Sequence, residues 1–394
     1  MQKLSERTAG FTDSLIRRMT RISLRYGAVN LSQGFPDFEP PREILDRLAQ
    51  VAHEDFHQYS ITWGAQNFRE ALAEKQSRLM GREIDPNSEI VTTCGSTEAM
   101  MAAMMTVANP GDKVVIFSPF YENYSADTIL SGAVPIYVPL TPPSFTFDPE
   151  VLEDAFRQHP KALVLCNPSN PCGKVFTREE LEIIAGLAKK YDVYVITDEV
   201  YEHIVYAPHE HVYMATLPGM FERTVTLNGF SKAFAMTGWR IGYTAGPIEV
   251  IRAMSSLQSQ VASGSNSIAQ YAAEEALRSP KGREAIERMH RAYDERRRHI
   301  VQRLNAIDGL TCVMPKGAFY VMVDMSALIG KHLGDRQIGG SMDFADMLLE
   351  NANVALTPGT AFCAEGYCRI SYATSMEQID KGVDRIEHFV NNLV

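Results

Sequence analysis

The stretch KALVLCNPSNPCGKVFTREELEIIAGLAKKYDVYVITDEVY, residues 161–201, contains the pattern from which the fold class follows. Two short apolar runs, KALVLC at 161–166 and VYVIT at 193–197, are typical of strands that are covered on both faces. Between them, Thr177 and Glu180 have the spacing of a capping box, and apolar residues at helical spacing follow. A strand–helix–strand unit of this kind predicts neighbouring parallel strands in an α/β sheet.

Five more apolar runs continue the same alternation from about residue 89 to 245. They are EIVTTC (89–94), KVVIF (113–117), VPIYVPL (134–140), TVTLN (224–228) and IGYTA (241–245). Helical stretches lie between several of them, as in a sheet with helices on both faces. The sequence therefore predicts a large α/β domain whose doubly wound, mostly parallel sheet has about seven strands.

The pattern changes after Pro280. The run KGREAIERMHRAYDERRRHIVQRLNAI (281–307) predicts a long, strongly charged helix, and the short strands FYVMVDM and CRISYA come after it. These elements indicate a smaller α+β domain. We expect residues 1–35 to form an N-terminal arm and part of the small domain, 36–285 the large domain, and 286–394 the small C-terminal domain.

Composition excludes several functional classes. Of the 394 residues, 45% are hydrophobic, and 38 basic against 48 acidic side chains give a formal charge of −10. This balance argues against a nucleic-acid or anionic-membrane partner, because either would need a basic patch. The six cysteines are scattered without a C-x-x-C pair, so neither a disulfide framework nor a metal site is expected. A cytoplasmic location with reduced thiols is the default expectation.

The N-terminal segment has no apolar core of a secretory signal, and no run of about 20 apolar residues predicts a membrane span. Arg17, Arg18 and Arg21 alternate with Leu15 and Ile16, which could resemble a transit peptide. An amphipathic helix packed on the body or on a partner subunit is the favoured interpretation.

Polar and aromatic residues follow the strands, where ligands bind in an open α/β sheet. Gly95, Ser96 and Thr97 open a helix and could form an anion site, although an ordinary helix cap is the favoured explanation for these residues taken alone. Tyr121 follows the next strand and, taken alone, is explained by a core position. Asn170 lies in the rigid turn NPSNPCG, with a side chain that both donates and accepts.

Two further strand ends carry ionisable groups. Asp198 ends an apolar strand, where an unpaired carboxylate is costly to bury, and Tyr201 follows three residues later. Lys232 lies just past another strand among Phe230 and Phe234, and desolvation there would free a nucleophilic amine. Taken singly, Asp198 could instead cap the next element, and a lysine that reaches solvent is the commoner outcome. Together, the strand ends supply the phosphate site, ring platform, carboxylate, phenol and amine that pyridoxal phosphate (PLP) requires.

The motifs, in their order and spacing, resemble those of class I aminotransferases of fold type I over essentially the whole chain. The segments are SQGFPDF (32–38), QYSITWG (58–64), TCGSTEAM, SPFYENY, NPSNPCGKVF, ITDEVYEHIVY, GFSKAFAMTGWRIG, PKGAFYV and CRISYA. Through SQGFPDF and QYSITWG the chain most resembles the subgroup of kynurenine, glutamine and methionine aminotransferases. The resemblance implies PLP as cofactor and a homodimer with shared active sites.

It also implies roles for residues at matching positions. Lys232 would form the Schiff base with PLP and then shuttle the substrate proton. Asp198 would pair with the protonated pyridine nitrogen, Tyr201 and Asn170 would bind the phenolic oxygen, and Tyr121 would stack on the ring.

The remaining implied contacts involve phosphate and substrate. The phosphate would be held by Gly95, Ser96, Thr97, Ser231 and Arg240, with Tyr59 from the partner subunit. Arg369 would bind the substrate α-carboxylate bidentately, beside Asn170, and Gly34 would border the substrate through its backbone.

The implied activity is a ping-pong transamination between an L-amino acid and a 2-oxo acid. An aromatic, methionine, glutamine or kynurenine-like donor is expected, with aspartate or diaminopimelate as the alternative. A C–S β-lyase on the same scaffold stays open, and a ligand-sensing regulator domain is a remote alternative because no DNA-binding unit is evident. The residues alone do not identify the donor.

Overall fold

A computed structural model describes residue 5 and residues 14–394, and a seven-stranded sheet forms its centre. The strands, in chain order, are β1 (Val29–Asn30), β2 (Ile90–Thr93), β3 (Lys113–Ser118), β4 (Val134–Pro139), β5 (Ala162–Cys166), β6 (Tyr194–Asp198), β7 (Thr224–Gly229), β8 (Gly242–Ala245), β9 (Thr311–Cys312), β10 (Tyr320–Asp324), β11 (His332–Leu333), β12 (Arg336–Gln337), β13 (Val354–Ala355), β14 (Thr357–Pro358) and β15 (Tyr367–Ser371). All seven strands expected between residues 89 and 245 are present in this sheet.

Helices cover the sheet and connect most of its strands. They span Leu15–Tyr26, Arg42–Val51, Gln66–Met80, Gly95–Val107, Asn123–Leu130, Pro149–Phe156, Arg178–Tyr191, Ile248–Val261, Ser267–Arg278, Pro280–Leu304, Ser341–Ala352 and Met376–Asn391. The predicted capping box is formed, since the Thr177 hydroxyl accepts from the Glu180 amide and the Glu180 carboxylate accepts from the Thr177 amide. None of the described helices is long and apolar enough to cross a bilayer.

The large sheet has the strand order β2-β8-β7-β6-β5-β3-β4. Strands β3 to β7 pair in parallel, and β8 runs antiparallel to both of its neighbours. In register, Cys166 at the end of β5 lies beside Asp198 at the end of β6. The carboxyl ends of β5, β6 and β7 therefore meet at one edge of the sheet, and the residues that follow them are brought together there.

Both faces of the sheet are buried, which explains why its strands are apolar along their length. Val115 and Leu163 belong to a cluster beneath the helices Pro149–Phe156 and Arg178–Tyr191. Their neighbours Ile116 and Val164 point to the other face and pack in a second cluster with Gly95–Val107. Successive side chains of a strand point to opposite faces, so each strand contributes to both clusters.

A smaller α+β unit packs beside this sheet and confirms the predicted fold class. Its antiparallel sheet has the order β14-β15-β10-β9, and its core includes the helices Pro280–Leu304, Ser341–Ala352 and Met376–Asn391. Strand β1 pairs in parallel with β13, so the segment near residue 30 joins this unit, as the predicted N-terminal arm would. The boundaries at 35 and 285 stay predictions, and most of residues 1–13 lie outside the described part of the chain.

Candidate active site

A cleft of about 380 Å³ lies at the carboxyl edge of the large sheet, between the two units. It brings together eleven of the thirteen residues proposed from the sequence. These are Gly34, Ser96, Thr97, Tyr121, Asn170, Asp198, Tyr201, Ser231, Lys232, Arg240 and Arg369. Residues that are more than 300 positions apart in the chain thus line one cavity, as a single functional site would require.

Lys232 lies in the turn that follows β7, with its ammonium group inside the cleft. Its Nζ donates a hydrogen bond to the carbonyl oxygen of Gly34 and lies 5.9 Å from the ring centre of Tyr201. Burial lowers the pKa of Lys232 to about 8, and the positive charges of Arg369 and Arg240 act in the same direction. About a tenth of the amine is therefore neutral at pH 7, against less than a thousandth for an ordinary lysine, and the neutral form is the one that attacks a carbonyl carbon.

Asp198, the last residue of β6, is 8% exposed and lines the cleft. The Tyr124 hydroxyl donates to its Oδ2 at 2.7 Å, and the Val200 amide donates to Oδ1 at 3.3 Å. Burial raises the pKa of Asp198, while these two hydrogen bonds and the charge of Lys232 lower it. Sequence reasoning missed Tyr124, although it lies in SPFYENY three residues, nearly one helical turn, after Tyr121.

Tyr201 and Tyr320 form a buried pair on the wall of the cleft. Their hydroxyl oxygens are 3.0 Å apart, and their rings meet edge to face at 5.9 Å between centroids. Burial raises the pKa of Tyr201 well above its usual value, so this phenol stays protonated and can donate a hydrogen bond. Tyr320 also had no predicted role, and only its position in PKGAFYV could have indicated one.

Arg369 in β15 is 1% exposed, and its guanidinium has only neutral partners among the described residues. Nη1 donates to Oδ1 of Asn170 at 2.8 Å and Nη2 donates to the carbonyl of Ser32 at 2.9 Å, while Nε has no hydrogen-bond partner in the described part of the chain. The ring of Tyr320 lies 4.2 Å from the guanidinium carbon. A buried cation without a carboxylate beside it is costly, so this site is arranged to receive an anion.

The helix Gly95–Val107 directs its N-terminus at the cleft, which places Ser96 and Thr97 at the positive end of a helix dipole. Arg240 reaches the same end, where its Nη2 donates to the carbonyl of Cys94 at 3.3 Å. Two glycines allow this close packing, since a Cβ on Gly95 would collide with the Arg240 guanidinium and a Cβ on Gly242 would lie 2.6 Å from the carbonyl carbon of Gly95. Gly95 itself does not line the cleft and instead begins the helix with a positive φ of 80°.

Two further predicted residues, Tyr121 and Gly34, line the cleft. The ring of Tyr121 meets that of Tyr124 edge to face, with centroids 5.7 Å apart. Gly34 accepts the Lys232 hydrogen bond through its carbonyl, and a Cβ there would lie 3.1 Å from the Tyr320 hydroxyl. A side chain at position 34 would therefore intrude on the site.

Tyr59, like Gly95, does not line the cleft, and its side chain is 90% exposed. The N-terminal helix Leu15–Tyr26 packs on the body of the protein, as predicted. It also lines the cleft mouth through Ile16, Arg17 and Thr20, to which the sequence analysis assigned no role. Its amphipathic pattern indicated a buried face but not which surface that face would cover.

The residues present fit PLP. The glycine-lined helix N-terminus with Arg240 suits a phosphate, the buried Asp198 carboxylate suits a protonated ring nitrogen, and the Lys232 amine suits an aldehyde carbon. The unpaired charge of Arg369 leaves a place for one more carboxylate in the same cleft.

Comparisons with known proteins give a consistent result. The family model described as "Aminotransferase class I and II" matches residues 26–386. The chain is 40% identical over 363 residues to an aspartate aminotransferase of Pinus pinaster, covering 91% of this chain and 74% of that one. It is 36% identical to aromatic-amino-acid aminotransferase 2 of Thermococcus litoralis, covering 98% and 97%. A structure of the Thermus thermophilus aspartate aminotransferase with maleate superposes with a TM-score of 0.92 at 37% identity, covering 98% and 100%.

Proposed function

The chain belongs to the class I and II aminotransferases, and from this premise we propose that it transfers the amino group of L-aspartate to a 2-oxo acid in a ping-pong reaction. It is a PLP-dependent enzyme whose substrates are an amino acid and a 2-oxo acid. The observation that carries the proposal is Arg369, a buried guanidinium without an ionic partner among the described residues, in the cleft that contains Lys232.

PLP, when bound, supplies an electrophilic carbon for the amine and a ring that withdraws electrons from the substrate Cα. The neutral Nζ of Lys232 would hold the cofactor covalently. Once a substrate amine displaces it, Lys232 would accept and return the proton at Cα, because its lowered pKa keeps both protonation states populated near neutral pH. Asp198, ionised and fixed by the Tyr124 hydrogen bond, would keep the ring nitrogen protonated.

The remaining residues would hold the cofactor and orient its ring. Tyr201 would donate from its hydroxyl to the phenolic oxygen, and Asn170 would share that contact. Tyr121 would cover the ring face. The phosphate would bind at the N-terminus of Gly95–Val107, with Ser231 and Arg240 beside it. The exposed Tyr59 would complete this site in the partner subunit of a homodimer.

Arg369 would bind the substrate α-carboxylate through two nitrogens. Its present acceptors, Asn170 and the Ser32 carbonyl, keep the guanidinium plane fixed in the cleft. A planar, preoriented guanidinium favours bidentate contact with a carboxylate, so the site should prefer α-amino and 2-oxo acids to simple amines.

The choice of donor differs from the initial expectation. The relatives described above are named for aspartate or aromatic amino acids, so they support neither the kynurenine, glutamine and methionine subgroup nor its donors. We therefore propose aspartate first. An aromatic amino acid is the second candidate, because the Thermococcus litoralis relative of that name matches nearly the whole chain.

The test is a half-reaction followed at the cofactor absorbance. L-Aspartate added to the holoenzyme should convert the bound cofactor to its amine form, and 2-oxoglutarate should reverse the change. Lys232→Ala should lose the absorbance of the covalently held cofactor and about 10³-fold or more of the turnover. The control is Lys190→Ala, at an exposed lysine paired with Glu153, which should behave like the wild type. Full turnover in Lys232→Ala, or no conversion with any amino acid in the wild type, would exclude the proposal.

A further inference from the structure

We propose that Arg17, at the mouth of the cleft, binds the side-chain carboxylate of a dicarboxylic substrate. This inference rests on the proposed function and adds a residue that selects the substrate class. The sequence contains no arginine whose motif assigns it to the substrate side chain, so only the position of Arg17 in the folded chain indicates the role.

The N-terminal helix is anchored so that its first turn stays at the cleft. Met19 is fully buried, and Arg18 forms an ion pair of 3.6 Å with Asp346. At the other side, the Ser14 hydroxyl donates to Glu122 and also accepts from the Arg17 amide at 3.2 Å. The backbone of Arg17 is therefore held between the small unit and the loop beside Tyr121, while its side chain is exposed.

A charge count of the cleft lining leaves Arg17 without a partner. The described lining contains four cations, Arg17, Lys232, Arg240 and Arg369, and two carboxylates, Glu122 and Asp198. The cofactor would engage Lys232, Arg240 and Asp198, and the substrate α-carboxylate would engage Arg369. What remains is Arg17, which forms no ion pair with a described residue, and Glu122, which already accepts from Ser14.

The field of Arg17 reaches the substrate side of the site. Its positive charge acts on the Tyr121 hydroxyl, lowering a pKa that burial raises. Tyr121 is the residue proposed to cover the cofactor ring, so a substrate side chain that extends past this ring would approach Arg17. Substrates with one carboxylate would leave the guanidinium without an anion, whereas a dicarboxylate would occupy both arginines.

The experiment compares Arg17→Gln holoenzyme with the wild type and with Arg25→Gln. Arg25 is an exposed arginine in the last turn of the same helix and does not line the cleft, so its variant should match the wild type. Maleate, a dicarboxylate without an amine, is titrated against the cofactor absorbance to give a Kd without turnover. Loss of one charge-assisted contact should raise this Kd about 10- to 100-fold in Arg17→Gln and lower the ratio of kcat/KM for L-aspartate to that for L-phenylalanine by a similar factor.

An unchanged maleate Kd and an unchanged kcat/KM ratio in Arg17→Gln, in an enzyme whose wild type transaminates, would overturn the role of Arg17 alone. A maleate Kd that responds to Glu122→Gln but not to Arg17→Gln would also overturn it. Failure of the wild type to transaminate any amino acid would instead exclude the proposed function, so the two outcomes are distinguishable.

Discussion

The Tyr124 hydroxyl donates a hydrogen bond of 2.7 Å to Oδ2 of Asp198, and both buried residues line the cleft. This bond opposes the effect of burial, which by itself raises the pKa of the carboxyl group. The ionised form of Asp198 is thus favoured by a neutral neighbour from the helix Asn123–Leu130, in addition to the positive charge of Lys232.

Tyr124→Phe should raise the pKa of Asp198 further, because the ionised form loses a hydrogen bond. Ionised Asp198 is the active form, so the acidic limb of the kcat profile should move to higher pH, and kcat near pH 7 should fall about 10-fold. The measurement is the pH dependence of kcat. Tyr137→Phe, which removes a half-exposed hydroxyl bonded to Ser125, is the matched control. An acidic limb that stays in place would contradict this role of Tyr124.

Arg369→Lys should raise the KM for the amino donor about 100-fold while the absorbance maximum of the bound cofactor stays unchanged. Lysine retains the charge but cannot contact Asn170 and the Ser32 carbonyl together while binding a carboxylate through two nitrogens. Steady-state kinetics give the KM, and a thermal melt excludes unfolding as the cause. Arg336→Lys, at an exposed pair with Glu350, should leave the KM unchanged. A similar fall in kcat for both variants, without a change in KM, would speak against carboxylate binding.

The Lys232 amine of the cofactor-free enzyme should react with a small neutral acylating reagent with a midpoint near pH 8. Its pKa is lowered to about 8, so the neutral amine becomes the main form above that pH. Lys190, whose pKa the Glu153 carboxylate raises, should show no midpoint in this pH range. Peptide mass spectrometry after short labelling at each pH measures both lysines in one sample. Parallel profiles for the two would refute the lowered pKa.

Gly242→Ala should weaken cofactor binding by about 10-fold or more. The added methyl group would lie 2.6 Å from the carbonyl carbon of Gly95 and 2.7 Å from the Ser96 nitrogen, so the start of the helix must shift away from the phosphate site. Equilibrium dialysis of PLP against the apoenzyme measures the effect. Gly238→Ala is the control, because a Cβ there meets no atom within 4 Å. Equal dissociation constants of PLP for the two variants would count against a phosphate site at the N-terminus of Gly95–Val107.

Asp127→Asn should stabilise the protein at pH 8 and have little effect at pH 4. Burial raises the pKa of Asp127 to about 7, and its Oδ2 has no hydrogen-bond partner among the described residues. The folded state therefore binds this proton more tightly than the unfolded state, and stability falls as pH rises from about 4 to 7. Asparagine has no charge to bury, so Asp127→Asn should raise the free energy of unfolding at pH 8 by roughly 1–3 kcal/mol. Melting temperatures of both proteins at pH 4 and pH 8 test this prediction. An equal gain in melting temperature at the two pH values would contradict the raised pKa of Asp127.

The strand positions and most of the cleft could be predicted from the sequence. Strands such as β5 and β6 are continuous apolar runs, and Asp198 and Lys232 follow strands whose carboxyl ends must meet at one edge of a parallel sheet. Hydrophobic periodicity and strand direction depend on local sequence, so they can be predicted from it. Arg369 was identified by its motif rather than by such reasoning, since nothing local distinguishes it from a surface arginine.

Only the tertiary structure decided which side chains from other elements complete the cleft. Tyr124 reaches Asp198 across 74 residues, Tyr320 joins Tyr201 to Arg369, and the N-terminal helix brings Arg17 to the mouth. Each contact depends on how separate helices and sheets pack against one another, and that packing is set by long-range burial rather than by the local pattern of any one segment. The sequence by itself therefore determined the sheet and the chemistry at its edge, and the packing of the two units determined the surroundings in which that chemistry operates.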